Sequence, residues 1–139
     1  MNQNVTSSVG YTGPVSKKML WVGWIISVLP ALMLLFSAGM KFAKPAAVVE
    51  GFNHLGYPER LGVPLGIVEI GSTILYLVPQ TSILGAILLT GFLGGATSAH
   101  VRVGEPFFMP IVLGVLVWAG IFLRDPRLRR LIPFRSRPG

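Results

Sequence analysis

Four stretches of apolar residues, separated by short polar segments, dominate the chain. They cover residues 19–40, 61–78, 82–101 and 107–123, and the first contains no charged residue. A hydrocarbon core about 30 Å thick needs roughly 20 helical residues to cross it. The pattern therefore predicts four membrane-spanning helices, with Glu105 and Arg124 in the headgroup layers that flank the short last span.

The segment between the first and second spans has a different pattern. Its apolar residues share one helical face and its polar residues share the other. The apolar ones are Val48, Val49, Phe52 and Leu55, and the polar ones are Glu50, Asn53 and His54. Pro45 can begin a helix and Gly56 can end it. We predict a short amphipathic helix here, lying on or dipping into the outer membrane surface.

The composition favours lipid over water as the surrounding medium. Charged residues make up 12% of the chain, hydrophobic residues make up 52%, and the mean hydropathy is +0.67. A soluble domain is typically about 25% charged. We therefore predict an all-α fold, a four-helix transmembrane bundle over residues 19–124. A disordered polar tail at 1–18 and a basic cytoplasmic tail at 125–139 would flank it.

Basic residues are unevenly distributed along this sequence. Six of the twelve Lys and Arg residues lie in the last sixteen positions, and the formal net charge is +7. With four spans, eight of the twelve share the side of the two termini, so the positive-inside rule predicts cytoplasmic termini. Because the basic tail directly follows an apolar span, its expected partner is the lipid bilayer and not nucleic acid.

The sequence lacks the residues that several kinds of site chemistry require. The sequence has no cysteine, which excludes disulfides, thiolate metal sites and thiol exchange within it. It also lacks a Gly-rich phosphate loop, a nucleophile motif and a metal-spaced histidine cluster, so we predict no metal site and no catalytic motif. Neither histidine lies deep in a span, which disfavours haem.

Glu69 lies near the middle of the otherwise apolar second span. An ionisable group at that depth costs on the order of 3 kcal/mol to insert, so it normally faces the bundle interior and has a partner. Helical spacing places Glu69 on one stripe of this helix, together with Gly62, Gly66, Thr73 and Tyr76. We expect this stripe to face inward, with the two hydroxyls able to donate to the carboxylate.

Three basic residues are candidate partners of Glu69. Lys41 lies at the outer end of the first span, and His100 and Arg102 lie at the outer end of the third. Glu69 would lie roughly 12 Å below the outer end of its helix, so these groups must reach inward or connect through water. The alternatives are a protonated, purely structural Glu69, an interfacial His100 and snorkelling Lys41 and Arg102.

Small residues give the third span a distinct character. They are Gly91, Gly94, Gly95 and Ser98. Small side chains let helix backbones approach each other, so we expect close helix packing along this stretch.

A series of short motifs runs through the chain in a characteristic order. They are Phe36-Ser37-Ala38-Gly39-Met40-Lys41-Phe42, Lys44-Pro45, Val49-Glu50-Gly51-Phe52, Leu55-Gly56-Tyr57-Pro58, Leu65-Gly66-Ile67-Val68-Glu69, Leu84-Gly85-Ala86 and His100-Val101-Arg102-Val103-Gly104-Glu105-Pro106. Over about residues 19–132 this series resembles the DoxX-like family of small four-helix bacterial membrane proteins. The resemblance implies a place in the bacterial inner membrane, beside quinone redox chemistry. It matches Lys41, Glu50, Tyr57, Glu69, His100 and Arg102 to polar positions that recur in the family without settled roles.

Three functions remain as hypotheses. The first is an accessory membrane component that binds a quinone-like or other small apolar molecule between its helices. Glu69 would then handle protons, and His100 and Arg102 would orient the polar head. Thr73, Tyr76 and Lys41 are further candidates for this site, and Glu50, His54 and Tyr57 are candidates in the outer segment.

The second hypothesis is a non-enzymatic scaffold that pairs with a membrane or redox protein, or with a second copy of itself, through its small-residue stripes. The third is a proton-coupled carrier of small solutes. Four helices are few for alternating access, so a carrier would require a dimer.

Overall fold

The computed structural model describes residues 16–131, and every regular element in that range is helical. The elements are α1 (Lys17–Ala43), α2 (Ala46–His54), a 3-10 turn (Glu59–Leu61), α3 (Gly62–Leu77), α4 (Ser82–Val103), α5 (Phe108–Arg124) and α6 (Pro126–Leu131). The predicted all-α fold is thereby confirmed for the described range. The tail predicted at 1–18 falls outside that range except for its last three residues, and Lys17 and Lys18 belong to α1. Residues 132–139 of the basic tail also fall outside it.

Three helical segments in the described range are long and apolar enough to cross a membrane. They are Lys17–Ala43, Glu59–Leu77 and Ser82–Val103. The fourth apolar helix, α5, is shorter, at 17 residues. A 17-residue helix still reaches across a thin or locally thinned bilayer.

The surface of α1 is the inverse of that of a helix in a water-soluble protein. Large apolar side chains point outward: Ile25, Leu29, Leu32 and Phe36 are 54%, 56%, 58% and 71% exposed. The buried positions are mostly small or polar, and include Gly23, Ser27, Ala31 and Ala38. Since a soluble monomer rarely exposes such a continuous apolar face, this arrangement indicates hydrocarbon as the surrounding medium.

The four apolar helices pack as a closed ring. Helix α1 packs against α3 and α5, and α4 packs against the same two helices from the other side. The centre of the ring is filled at one end by a hydrophobic core that includes Leu34, Tyr76, Leu89, Val117 and Ile121. The ring is therefore solid at this end, and the candidate site lies toward the opposite end.

The close approach of α3 and α4 depends on a glycine outside the stretch of α4 for which close packing was predicted. A Cβ atom built on Gly85 would overlap the backbone of Tyr76, so α4 touches α3 there because residue 85 has no side chain. The close packing expected at Gly91, Gly94 and Gly95 is wrong within this chain, because a Cβ at any of the three would meet nothing within 4 Å. The small side chains of this stretch leave space instead of closing it.

The end of α5 is tied to two other helices by Arg124. Its guanidinium lies 4.4 Å from the ring centroid of Trp24 and 4.8 Å from that of Tyr76, and it donates a 2.7 Å hydrogen bond to the Tyr76 carbonyl. Arg124 is only 8% exposed. It fills the space between two aromatic rings, where stacking and a carbonyl acceptor satisfy part of its charge. Its position at the depth of the lipid headgroups stays a prediction.

The amphipathic segment forms the predicted helix. Helix α2 begins after Pro45, and the chain turns at Gly56, whose φ of +79° favours glycine. Val48, Phe52 and Leu55 face a cavity in the ring of helices. The apolar face of α2 therefore forms a roof over one end of the bundle. The prediction that this helix lies on or dips into the outer membrane surface stays a prediction.

Candidate functional site

A cavity of about 750 Å³ occupies the end of the ring beneath α2. All of the four long helices contribute to its wall, together with α2 and the segment that follows it. Its polar lining residues are Ser37, Lys41, Tyr57, Glu69 and His100, and the remaining lining is apolar or glycine. A concave, mostly apolar space with a few convergent polar groups is typical of small-molecule sites.

The cavity exists because one helix presents small residues to it. The α4 residues at its wall include Gly91, Gly95, Ala96 and Ala99. Each of the four long helices contacts its two neighbours in the ring. Larger side chains at these α4 positions would therefore fill the space between the helices. The glycine-rich stretch of α4 therefore shapes a cavity in this half of the bundle.

An ion pair lies at the deep side of the cavity. Lys41 Nζ is 2.7 Å from Glu69 Oε2 and 2.7 Å from Ser37 Oγ. The Glu69 side chain is 1% exposed and that of Lys41 is 15% exposed. Burying either charge alone would be strongly unfavourable, whereas the pair is neutral as a unit and each charge has a hydrogen-bond partner.

Local sequence accounts for how each member of the pair is positioned. Ser37 and Lys41 are four residues apart in α1, so they lie on the same face and the hydroxyl can accept from the ammonium. The Lys41 ammonium also lies 5.8 Å from the ring centroid of Phe92 in α4. Glu69 lies on the buried stripe of α3 together with Gly62 and Gly66.

Thr73 and Tyr76 lie on this buried stripe but do not contact the Glu69 carboxylate. The Thr73 hydroxyl donates to the backbone carbonyl of Glu69 at 2.7 Å, and the Tyr76 hydroxyl donates to the carbonyl of Val117 at 2.8 Å. Neither lines the cavity. The expectation that these hydroxyls donate to the carboxylate is therefore wrong, because each donates to a backbone carbonyl instead.

His100 lines the cavity near the roof, whereas Arg102 does not line it. The Nδ1 atom of His100 is 2.7 Å from the carbonyl oxygen of Ala96. Arg102 donates to the carbonyl of Leu55, and its guanidinium lies 5.6 Å from the ring centroid of Tyr57. Arg102 therefore holds the segment after α2, and the structure does not bring it to Glu69.

Of the three candidate residues in the outer segment, one lines the cavity and two do not. Tyr57 lines the cavity, whereas Glu50 and His54 do not. His54 Nε2 is 2.9 Å from Glu105 Oε1, which joins α2 to the loop between α4 and α5. Within residues 16–131, no group of three or more His, Asp and Glu side chains is arranged to hold a metal ion.

Two residues of the site are not among the candidates that the sequence pattern predicts. For Ser37, the spacing of four from Lys41 is a usable signal. Phe92 was also missed, and no sequence pattern separates it from the other apolar residues of α4. Both positions matter here because they determine where the Lys41 ammonium lies.

A second depression lies on the outer side of α4 and α5. It has a volume of about 700 Å³, and Gly94, Gly114 and Trp118 are among its lining residues. Gly94 and Gly95 are thus neighbours in sequence that line different spaces. This pair provides a matched control for experiments on the cavity.

Comparison with known proteins gives one match. Residues 25–120 match the DoxX-like family, which is most of the described range and covers all four long helices at least in part. Searches of curated proteins and of solved structures gave no significant match.

Proposed function

Because this chain belongs to the DoxX-like family of membrane proteins, we propose that it binds a small, mostly apolar molecule inside a bundle of four membrane-spanning helices. The observation that carries the proposal is the cavity of about 750 Å³ whose apolar wall is interrupted by the Lys41–Glu69 ion pair. Sites for small ligands typically have 300–1,000 Å³ and a few placed polar groups.

The charges at the site favour a neutral ligand. Lys41 and Glu69 balance each other at 2.7 Å, so a charged ligand would add an unpaired charge to a largely apolar cavity. A neutral molecule with an aromatic or aliphatic body and one oxygen-bearing head avoids this cost. Quinone-like molecules have this chemistry, and the Lys41 ammonium would donate a hydrogen bond to the head.

The proposed role is that of an accessory component in a membrane redox process. The sequence carries no cysteine and no catalytic motif, so the protein would bind and position the molecule for a redox partner. Glu69 would hold the Lys41 ammonium in place. A membrane or redox protein, or a second copy of this chain, would complete the assembly.

We further propose that the protein lies in the bacterial inner membrane with both termini in the cytoplasm. The hydrogen bond from Arg124 to Tyr76 and the one from Arg127 to Pro79 bring the end of α5 next to the turn between α3 and α4. Eight of the twelve basic residues then belong to this end under the four-span arrangement. Reporter fusions to both termini test the orientation: activity of a periplasmic reporter at either end would contradict it.

Ligand binding is tested with the Gly94 and Gly95 pair. A radiolabelled short-chain benzoquinone is titrated against the protein in lipid nanodiscs, with empty nanodiscs as background. We expect saturable binding by wild type and by Gly94→Leu, and binding at least tenfold weaker in Gly95→Leu, because only the latter leucine fills the cavity. Glu69→Gln should also weaken binding, since it releases Lys41.

Two outcomes would contradict the proposal. One is the absence of saturable binding by wild type, and the other is equal binding by wild type and Gly95→Leu. Co-purification of a partner that is lost in Gly94→Leu and retained in Gly95→Leu would favour the scaffold hypothesis, in which the outer depression is the contact surface.

A further inference from the structure

The hydrogen-bond partner of His100 within α4 assigns a proton to its Nδ1 atom. This atom lies 2.7 Å from the carbonyl oxygen of Ala96, one turn earlier in α4. A carbonyl oxygen only accepts hydrogen bonds, so Nδ1 must be the donor. In the neutral imidazole the other nitrogen, Nε2, then holds a lone pair and acts as an acceptor.

No donor within residues 16–131 satisfies that Nε2 atom. Its recorded polar contact is Glu105 Oε2 at 4.0 Å, which is too long for a hydrogen bond. An ionised carboxylate also has no proton to donate. Glu105 instead pairs with His54, at 2.9 Å through its other oxygen. His100 is 31% exposed and is one of the residues that line the cavity, so a hydroxyl group of a bound molecule is a candidate donor to Nε2.

Lys41 supplies a complementary group in the same cavity. Its ammonium has three N–H donors. Two are used, by Ser37 Oγ and by Glu69 Oε2, each at 2.7 Å. The third has no oxygen acceptor among the described residues, where the remaining recorded contact of the ammonium is the Phe92 ring.

The cavity therefore offers a donor on Lys41 and an acceptor on His100, in a wall that is mostly apolar. We infer that its ligand is hydroxyl-bearing, of the phenol or hydroquinone type, with its O–H donating to His100 Nε2. An oxygen of the same ligand accepts from Lys41. A molecule that carries only acceptors, such as a quinone or an aryl ether, leaves the histidine unsatisfied. This inference rests on the proposed function, because it names the class of ligand for that cavity.

Discrimination by such a site is physically reasonable. A site built to hydrogen-bond a ligand hydroxyl rejects an analogue that lacks it, because the buried polar group of the protein is left unpaired. His100 is partly exposed, so the penalty is smaller than in a fully dry site. A preference of about tenfold corresponds to roughly 1.4 kcal/mol, within the range of one hydrogen bond.

The test uses two probes that differ by one hydrogen-bond donor. A 4-alkylphenol and the matching 4-alkylanisole are titrated against the protein in lipid nanodiscs, and each affinity is corrected for partition of the probe into empty nanodiscs. We expect wild type to bind the phenol at least tenfold more tightly. His100→Phe should abolish the preference, and His100→Gln, which keeps an acceptor oxygen, should retain part of it.

His54→Gln is the matched control, because His54 does not line the cavity. This variant should leave the preference for the phenol over the anisole unchanged. Equal binding of both probes by wild type would overturn the inference, as would a preference that survives His100→Phe. If both probes still bound saturably and Gly95→Leu weakened both, the proposed function would stand while the hydroxyl requirement failed. Absence of saturable binding for the phenol, the anisole and the benzoquinone alike would overturn both.

Discussion

The Lys41 ammonium lies 2.7 Å from the Glu69 carboxylate and joins α1 to α3 across 28 positions of the chain. Each charge is costly to place in this largely apolar interior, and together they form a neutral unit. Their contact fixes the deep side of the cavity and sets the register between the two helices. The pair therefore has both a structural and a ligand-binding consequence.

Removal of one partner of this pair should cost more stability than removal of both. Glu69→Gln leaves the Lys41 charge buried without a counter-charge, and we expect a loss of about 3–5 kcal/mol. The double variant Lys41→Met with Glu69→Leu should recover most of that loss, because no unpaired charge remains. Unfolding in mixed micelles by a denaturing detergent measures both. A double variant that is no more stable than Glu69→Gln would contradict this account of the pair.

Gly85 and Gly91 should respond in opposite ways to the same change. Gly85→Ala places a methyl group against the backbone of Tyr76, so α3 and α4 must separate at a cost of about 1–3 kcal/mol or more. Gly91→Ala meets open space and should be neutral or stabilising by up to about 1 kcal/mol through helix propensity. Thermal unfolding of the two variants in one detergent tests this. Equal stability of the pair would show that the close contact at residue 85 is absent.

Arg124 should not tolerate replacement by lysine. Its planar guanidinium packs between the rings of Trp24 and Tyr76 and also donates to the Tyr76 carbonyl. A lysine ammonium cannot make all of these contacts at the same time. We expect Arg124→Lys to destabilise the protein by about 1–3 kcal/mol. Arg60→Lys, at an exposed position, is the control and should change little. Indistinguishable unfolding curves for the two variants would argue against a structural role for Arg124.

Arg102 should control access to the cavity through the roof. The sequence has no cysteine, so Gly95→Cys introduces a single thiol at the cavity wall and Gly94→Cys introduces one in the outer depression. Adding Arg102→Gln removes the hold on Leu55 and Tyr57. A loss of about 1 kcal/mol should raise the maleimide labelling rate at position 95 about fivefold. The rate at position 94 should stay the same. Equal acceleration at both positions, or none at 95, would show that α2 is not the entry route.

The end of α5 should carry an acid-sensitive contact. Burial acts to raise the pKa of Asp125, but the hydrogen bonds from Arg127 and the charges of Arg127 and Arg124 outweigh it, so the pKa lies below its ordinary value. A carboxylate with a lowered pKa stabilises the folded state above its unfolded-state pKa, near 4, and this contribution is lost as the pH falls through the folded-state pKa.

Asp125→Asn should therefore be less stable than wild type at pH 7, and the difference should close as the pH falls below about 4. Thermal unfolding across this pH range measures it. A difference that stays constant from pH 7 to pH 3 would mean that the carboxylate charge is not the stabilising feature.

Local patterns in the sequence were enough to find the helices and the inward face of α3. The apolar runs and the spacing of Gly62, Gly66 and Glu69 depend only on helical periodicity, which is a property of neighbouring residues. The same holds for α2, whose start after Pro45 and turn at Gly56 follow from backbone preferences. These features needed no knowledge of which helices are neighbours.

Tertiary structure decided the partners. Lys41 and Arg102 were equivalent candidates for Glu69 on sequence grounds, and only the ring order of the helices brings Lys41 to the carboxylate while Arg102 turns to the Leu55 carbonyl. The same order leaves Gly95 beside a cavity and Gly85 against a backbone. A glycine has the same local chemistry at both positions, and its role is set by what the facing helix places opposite it.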